Sequence, residues 1–131
     1  MRAVAANVLV RAFVQDEPAQ GARAQALLDA GRVYVPVTVM LELEWVLRSR
    51  CGFTPPVLSQ ALEKIALLEN AVIGEQEAVL AAVAKMRRGW DFADALHHAL
   101  SAGCADFASF DTGLVRRAQR PPVAEPAVVA P

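Results

Sequence analysis

"AVAANVLVRAF", residues 3–13, reads as a buried strand that runs straight into an apolar helix, interrupted by one polar side chain, Asn7. Strand interiors disfavour Asn, and a buried amide must find hydrogen-bond partners. A helix N-cap satisfies both conditions: Asn7 would accept from the amides of Leu9 or Val10 and start the helix. The stretch therefore predicts a strand over 2–5 and a helix over 7–14.

The same alternation recurs downstream. "DEPAQGARAQALLDAG" (16–31) carries Pro18 near a helix start, an apolar stripe at Ala22, Ala26 and Leu27, and Gly31 as a stop. "RVYVP" (32–36) is a β-branched strand closed by Pro36, followed by a helix over 37–52 that ends in basic residues and Gly52. A further helix spans 54–70, with Thr54 as its cap. "AVIG" (71–74) is a short strand, and the alanine-rich run over 75–88 is a helix. "DFADALHHALSAG" (91–103) is a capped helix, "DFASF" (106–110) a strand and "TGLVRRAQ" a last short helix. Strands alternating with helices predict a three-layer α/β/α sandwich around a parallel sheet of four to five strands. Residues 1–120 make one domain. The Pro-rich tail, 121–131, offers a short edge strand near 127–129. In such sheets ligands gather beyond the carboxyl ends of the strands: after Ala5, Pro36, Gly74 and Phe110.

Composition narrows the class. The chain has 131 residues, 55% of them hydrophobic and 21% charged, which suits a single folded domain with a proper core. No apolar run reaches the roughly 18 residues of a membrane span, and no signal peptide is expected, since Asn7 and Arg11 interrupt the short apolar start. Cys51 and Cys104 stand alone, without the spacing of a disulfide framework or zinc site. A cytoplasmic protein is expected. The net charge of −1 supplies no global basic field for nucleic acid. Basic residues still cluster at Arg48/Arg50, Lys85/Arg87/Arg88 and Arg116/Arg117/Arg120, where they either complement helix C-termini or form a local phosphate-binding rim.

Five acids bear on function. Glu42 and Glu44 share a helix but face apart, because two residues are about 200° of rotation. Glu44 has Arg48 at i+4 and forms a surface pair. Glu42 is flanked by Val39, Trp45 and Val46 without a basic partner, so it either reaches to water at the edge of the apolar stripe or binds a metal. Asp91 is an N-cap. Asp94 is either a first-turn acid or, with His97 and His98 one turn on, a ligand. Asp111 follows a strand end as a turn or cap residue, in the position where α/β sheets place ligands. A helix-borne Glu, an Asp at a helix start and an Asp after a strand together suit Mg²⁺, which is held by a few carboxylates plus substrate phosphate. Such an ion positions and activates water for attack on a phosphodiester.

In order along the chain, "VAANVLVR", "VPVTVMLELEWVLRS", "DFADALHHA" and "FASFD" resemble the motifs of PIN-domain proteins, specifically the VapC-type ribonuclease toxins of toxin–antitoxin pairs. The resemblance covers nearly the whole chain. It implies a parallel sheet between helices, Mg²⁺- or Mn²⁺-dependent cleavage of RNA, restraint by a cognate antitoxin, and a homodimer. Glu42, Asp94 and Asp111 match the family's metal-binding acids, which are expected to converge at the carboxyl edge of the sheet. Ser109 matches a supporting Thr or Ser, and Asn7 the second polar residue of the usual Asp-x-Asn motif. Arg11 and Arg116 are candidates to hold RNA phosphate.

One position departs. The first motif reads Ala5-Ala6-Asn7, so a methyl group stands where the resemblance implies a metal-binding Asp. Either the chain lost that acid naturally or an active toxin was disarmed by an Asp-to-Ala change. The intact Glu42, Asp94 and Asp111 favour the second, since drift erodes a set more widely. The competing function is a catalytically silent PIN module that binds RNA or an antitoxin without cutting. Finally, Trp45, Leu47, Leu58, Leu62 and Leu67 exceed the apolar surface that one small core needs, which points to a dimer.

Overall fold

The computed structural model describes residues 1–131. The chain runs β1 (Arg2–Ala3), α1 (Ala6–Val14), α2 (Pro18–Asp29), β2 (Val33–Val35), α3 (Val37–Ser49), α4 (Pro55–Ala66), β3 (Ala71–Ile73), α5 (Gln76–Met86), α6 (Phe92–Ala99), β4 (Asp106–Ala108), α7 (Thr112–Ala118) and β5 (Ala127–Val129). All strand pairings are parallel. The α/β class and its parallel strands are as expected, and the arrangement is compatible with three layers. The strands, however, fall into a three-stranded sheet, β1-β2-β3, and a separate pair, β4-β5, instead of one sheet of four to five. Each strand is only two or three residues long, so the chain turns into a helix before a wide ladder can form. No helix is long and apolar enough to cross a membrane.

The β-branched Val33 and Val35 point into the core on alternate residues of β2. β3 ends where its chain presses against the start of α3. A Cβ on Gly74 would lie 2.8 Å from the Tyr34 hydroxyl and 3.0 Å from the Val37 amide. A larger residue there would have to push the Tyr34 side chain or the start of α3 aside. From α3, Met40, Leu43 and Leu47 fill the interior, joined by Leu58, Leu62 and Ile65 of α4 and by Leu9 of α1.

Several sequence expectations shift here. α1 begins at Ala6 with Ala5 as its N-cap, so Asn7 lies inside the first turn and is exposed. Thr54 makes no side-chain cap bond. The buried face of α2 is Gly21, Ala24 and Leu28, not Ala22 and Ala26, which are exposed. α6 stops at Ala99, before Gly103. Of the five apolar residues read as surplus, Leu47, Leu58 and Leu62 belong to the core, and only Trp45 and Leu67 are exposed. The helices therefore lack the apolar excess that pointed to a dimer. Both cysteines are free.

The C-terminal segment is tied in by a side chain that the sequence offered only as a candidate ligand beside Asp94. His98 is 1% exposed. Its Nδ1 lies 2.7 Å from Lys85 Nζ and its Nε2 2.8 Å from the Pro126 carbonyl oxygen. An ammonium only donates and a carbonyl only accepts, so the ring is neutral with its proton on Nε2. Trp90 and Phe107 flank the ring, with centroids at 5.3 and 5.8 Å. Burial holds the imidazole below its usual pKa range, and the Lys85 charge acts the same way against the opposing bond to Pro126.

A folded state that resists this proton loses stability as pH falls below the ordinary value of 6.5, because the unfolded chain then binds more protons. Thermal unfolding should show a lower Tm at pH 5.5 than at pH 7.5. His98→Gln, which keeps one donor and one acceptor, should flatten that dependence. His98→Ala should cost about 2–4 kcal/mol, measured by denaturant unfolding, since it opens a cavity and strands two polar partners.

Candidate active site

Two clusters hold the residues singled out by the sequence. The first surrounds the start of α1. Ala5 adopts an extended backbone and caps the helix without any side-chain bond. It lines a cavity of about 470 Å³ together with Asn7, Arg11, Glu42, Trp45 and Arg50. Arg11 and Asp16, on the same wall, form an ion pair at 3.1 Å, and Arg11 Nε donates to Gln20 Oε1 at 2.7 Å. The Arg11 guanidinium is thus already engaged. Glu42 opens into this cavity, exposed and without an ion-pair partner.

Of the two glutamates of α3, Glu42 reaches water and Glu44 pairs with Arg48 as expected, but the carboxylate of that pair is not at the surface. Glu44, expected at the surface, is 4% exposed and accepts from Arg48 Nε at 2.7 Å. Met40, Leu43, Glu44 and Leu47 form the inward face, and the 200° between Glu42 and Glu44 turns Glu42 to solvent. The buried carboxylate is tolerable because it is paired. Its bond and charge raise the Arg48 pKa, with Asp91 adding to the effect.

The second cluster lies at the starts of α6 and α7. Asp91 caps α6, its Oδ2 accepting from the Asp94 amide at 3.0 Å. Asp111 caps α7 in the same way, Oδ1 accepting from the Leu114 amide at 3.0 Å. Ser109 fixes the intervening turn: its hydroxyl accepts from the Asp111 amide at 3.0 Å, while its own amide donates to Val129 at 2.9 Å. Asp94 is partly buried. Burial raises its pKa, and the negative charges of Asp91 and Asp111 raise it further, against His97 and Arg117. Asp94 and Asp111 therefore stand within electrostatic reach of each other. Arg116 is exposed and joins no ion pair.

These residues do not make up a complete metal centre. No group of three or more His, Cys, Asp or Glu side chains is placed to hold an ion. Asp94 feels the charge of Asp111, Glu42 is not gathered with them into such a group, and Ala5 contributes no donor. Neither His97 nor His98 supplies one: His97 is exposed, and both nitrogens of His98 are taken. Arg50, grouped in the sequence only with the basic residues at a helix end, has its guanidinium 5.5 Å from the Trp45 ring centroid. An aromatic followed five residues later by an arginine at a helix end was the available signal.

Asp111 has a structural duty whatever its chemistry, and substitutions separate the two. Asp111→Ala should lose about 1 kcal/mol in denaturant unfolding, because α7 loses its cap. Asp111→Asn should retain wild-type stability, since Asn caps as well as Asp.

No curated protein matches the chain. The sequence signature of the PIN domain matches residues 4–120, from the end of the first strand through α7. With that span and this parallel α/β fold, the chain belongs to the PIN domain family, whose members are generally metal-dependent nucleases.

Proposed function

We propose that the protein is an endoribonuclease toxin of a VapC-type toxin–antitoxin pair, acting on RNA in the cytoplasm, whose Mg²⁺ or Mn²⁺ site is weakened or inactivated by Ala5. The observation that carries this reading is the placement of Ala5. It lies between the first strand and α1, caps α1 and lines the cavity into which Glu42 opens. A carboxylate there would add an anionic donor where the present side chain has only a methyl group. Glu42, Asp94 and Asp111 are the remaining candidate ligands, with Asn7 and Ser109 supporting and Arg116 available to phosphate. The cognate antitoxin is the proposed restraining partner. A two-fold homodimer rests on family likeness alone, and light scattering at tens of micromolar decides it.

The second reading, a silent PIN module that binds RNA or an antitoxin without cutting, draws on the absence of a gathered donor set. The two differ in what position 5 does. Ala5→Asp should raise Mg²⁺ or Mn²⁺ affinity in calorimetry and increase cleavage of a structured RNA about a hundredfold, abolished by EDTA. The same change supplies α1 with the cap it lacks, so the metal-free variant should gain about 1 kcal/mol, offset in part by repulsion from Glu42. Ala5→Asn provides the cap without the charge. It should match the gain in stability and leave cleavage unchanged. If Ala5→Asp is stabilised but neither binds metal more tightly nor cuts RNA, the silent module takes its place.

A further inference from the structure

A second cavity adjoins the one at Ala5. It measures about 410 Å³ and lies between α1 and α2, with Arg23 and Leu27 on its far side. The two cavities share Asn7 and Arg11, so they form one groove across α1. Arg11 is held by Asp16 and Gln20 in the middle of it. The outer arginines differ. Arg23 and Arg50 are exposed, and neither belongs to any of the three ion pairs of the molecule. Trp45 is 48% exposed, whereas the other tryptophan, Trp90, is 5% exposed. Arg50 lies over the Trp45 ring and leaves the rest of the indole to solvent.

We propose that this groove is a track for single-stranded RNA, in which Trp45 stacks on a base and Arg50 and Arg23 hold backbone phosphates on either side of Arg11. The proposal rests on the RNA-directed reading above and extends it to how the strand lies. An apolar peptide would need a greasier lining than two unpaired arginines provide, and an acidic peptide would engage the arginines without needing the exposed indole. Single-stranded nucleic acid uses both, cations for its backbone and a π-face for its bases. The track also passes Glu42, which brings the strand to a candidate catalytic acid.

Fluorescence anisotropy of a short labelled single-stranded RNA, with EDTA present to prevent cleavage, tests it on the full chain. Trp45→Ala should weaken binding about tenfold, and Trp45→Phe should restore most of the loss. Arg23→Ala and Arg50→Ala should each flatten the salt dependence of log K by about 0.7, as expected for one lost phosphate contact. In a Trp90→Phe protein, RNA should quench the fluorescence of Trp45. If RNA binds with unchanged affinity to all of these variants, the track is wrong while the RNA reading stands. An equal loss from Lys64→Ala, on the exposed side of α4, would mean diffuse attraction and overturn it too. Displacement of the RNA by polyglutamate, with the same quenching of Trp45, would assign the groove to an acidic peptide. If neither the Ala5 protein nor Ala5→Asp binds or cuts RNA, the RNA reading itself falls and takes the track with it.

Discussion

The strands are so short that each must hand the chain to a helix at once, and this constraint places the candidate site. β1 leads to the cap at Ala5, β2 to Pro36, β3 to Glu75 and β4 to Asp111. A parallel pairing turns the carboxyl ends of its strands the same way, so the first turns of α1, α3 and α5 open at one edge of the three-stranded sheet. Those turns carry unpaired amides and the positive ends of helix dipoles, an environment that favours carboxylates and phosphates. Long strands with long loops would have scattered the same residues.

That constraint was legible in outline. β-branched runs separated by alanine- and leucine-rich segments gave the order of strands and helices, since residue type and spacing both differ between them. What the sequence concealed was phase. Asn7 is a good capping residue, yet the strand ends early enough for Ala5 to take the cap, because the ladder continues past Ala3 only through the bond from the Val4 amide to Tyr34. Glu42 and Glu44 were distinguishable as facing apart, but which faced inward depended on how α3 packs on α4 and α6. Arg48 at i+4 argued for a surface pair. In the fold the same pair makes a buried glutamate affordable.

His98 shows the other limit. Its partners, Lys85 and Pro126, lie 13 and 28 residues away, and nothing local signals either bond. The result is a node that binds α5, α6 and the last strand through one neutral ring. It shares no residue with the cavity at Ala5, so the fold's integrity and the chemistry of position 5 are separable. A chain can lose a carboxylate at Ala5, with only a weaker cap on α1, and keep its core.

The same separation ranks the three candidate acids. Asp111 is retained by its cap bond whether or not it binds an ion, so its presence says little about chemistry. Glu42 is exposed on a helix and costs the fold nothing. Asp94 is different. It sits partly buried beside two other acids, forms no ion pair, and is held towards its neutral form by both burial and neighbouring charge. The first turn of α6 favours an acid there through the helix dipole, although the Asp91 cap uses only the backbone amide of Asp94. Carboxylates whose charge is opposed by burial and neighbouring acids occur at functional sites and in structural clusters alike. Asp94, read in the sequence as either a first-turn acid or a metal ligand, thus differs from Asp111 and Glu42 in carrying a charge that its surroundings oppose.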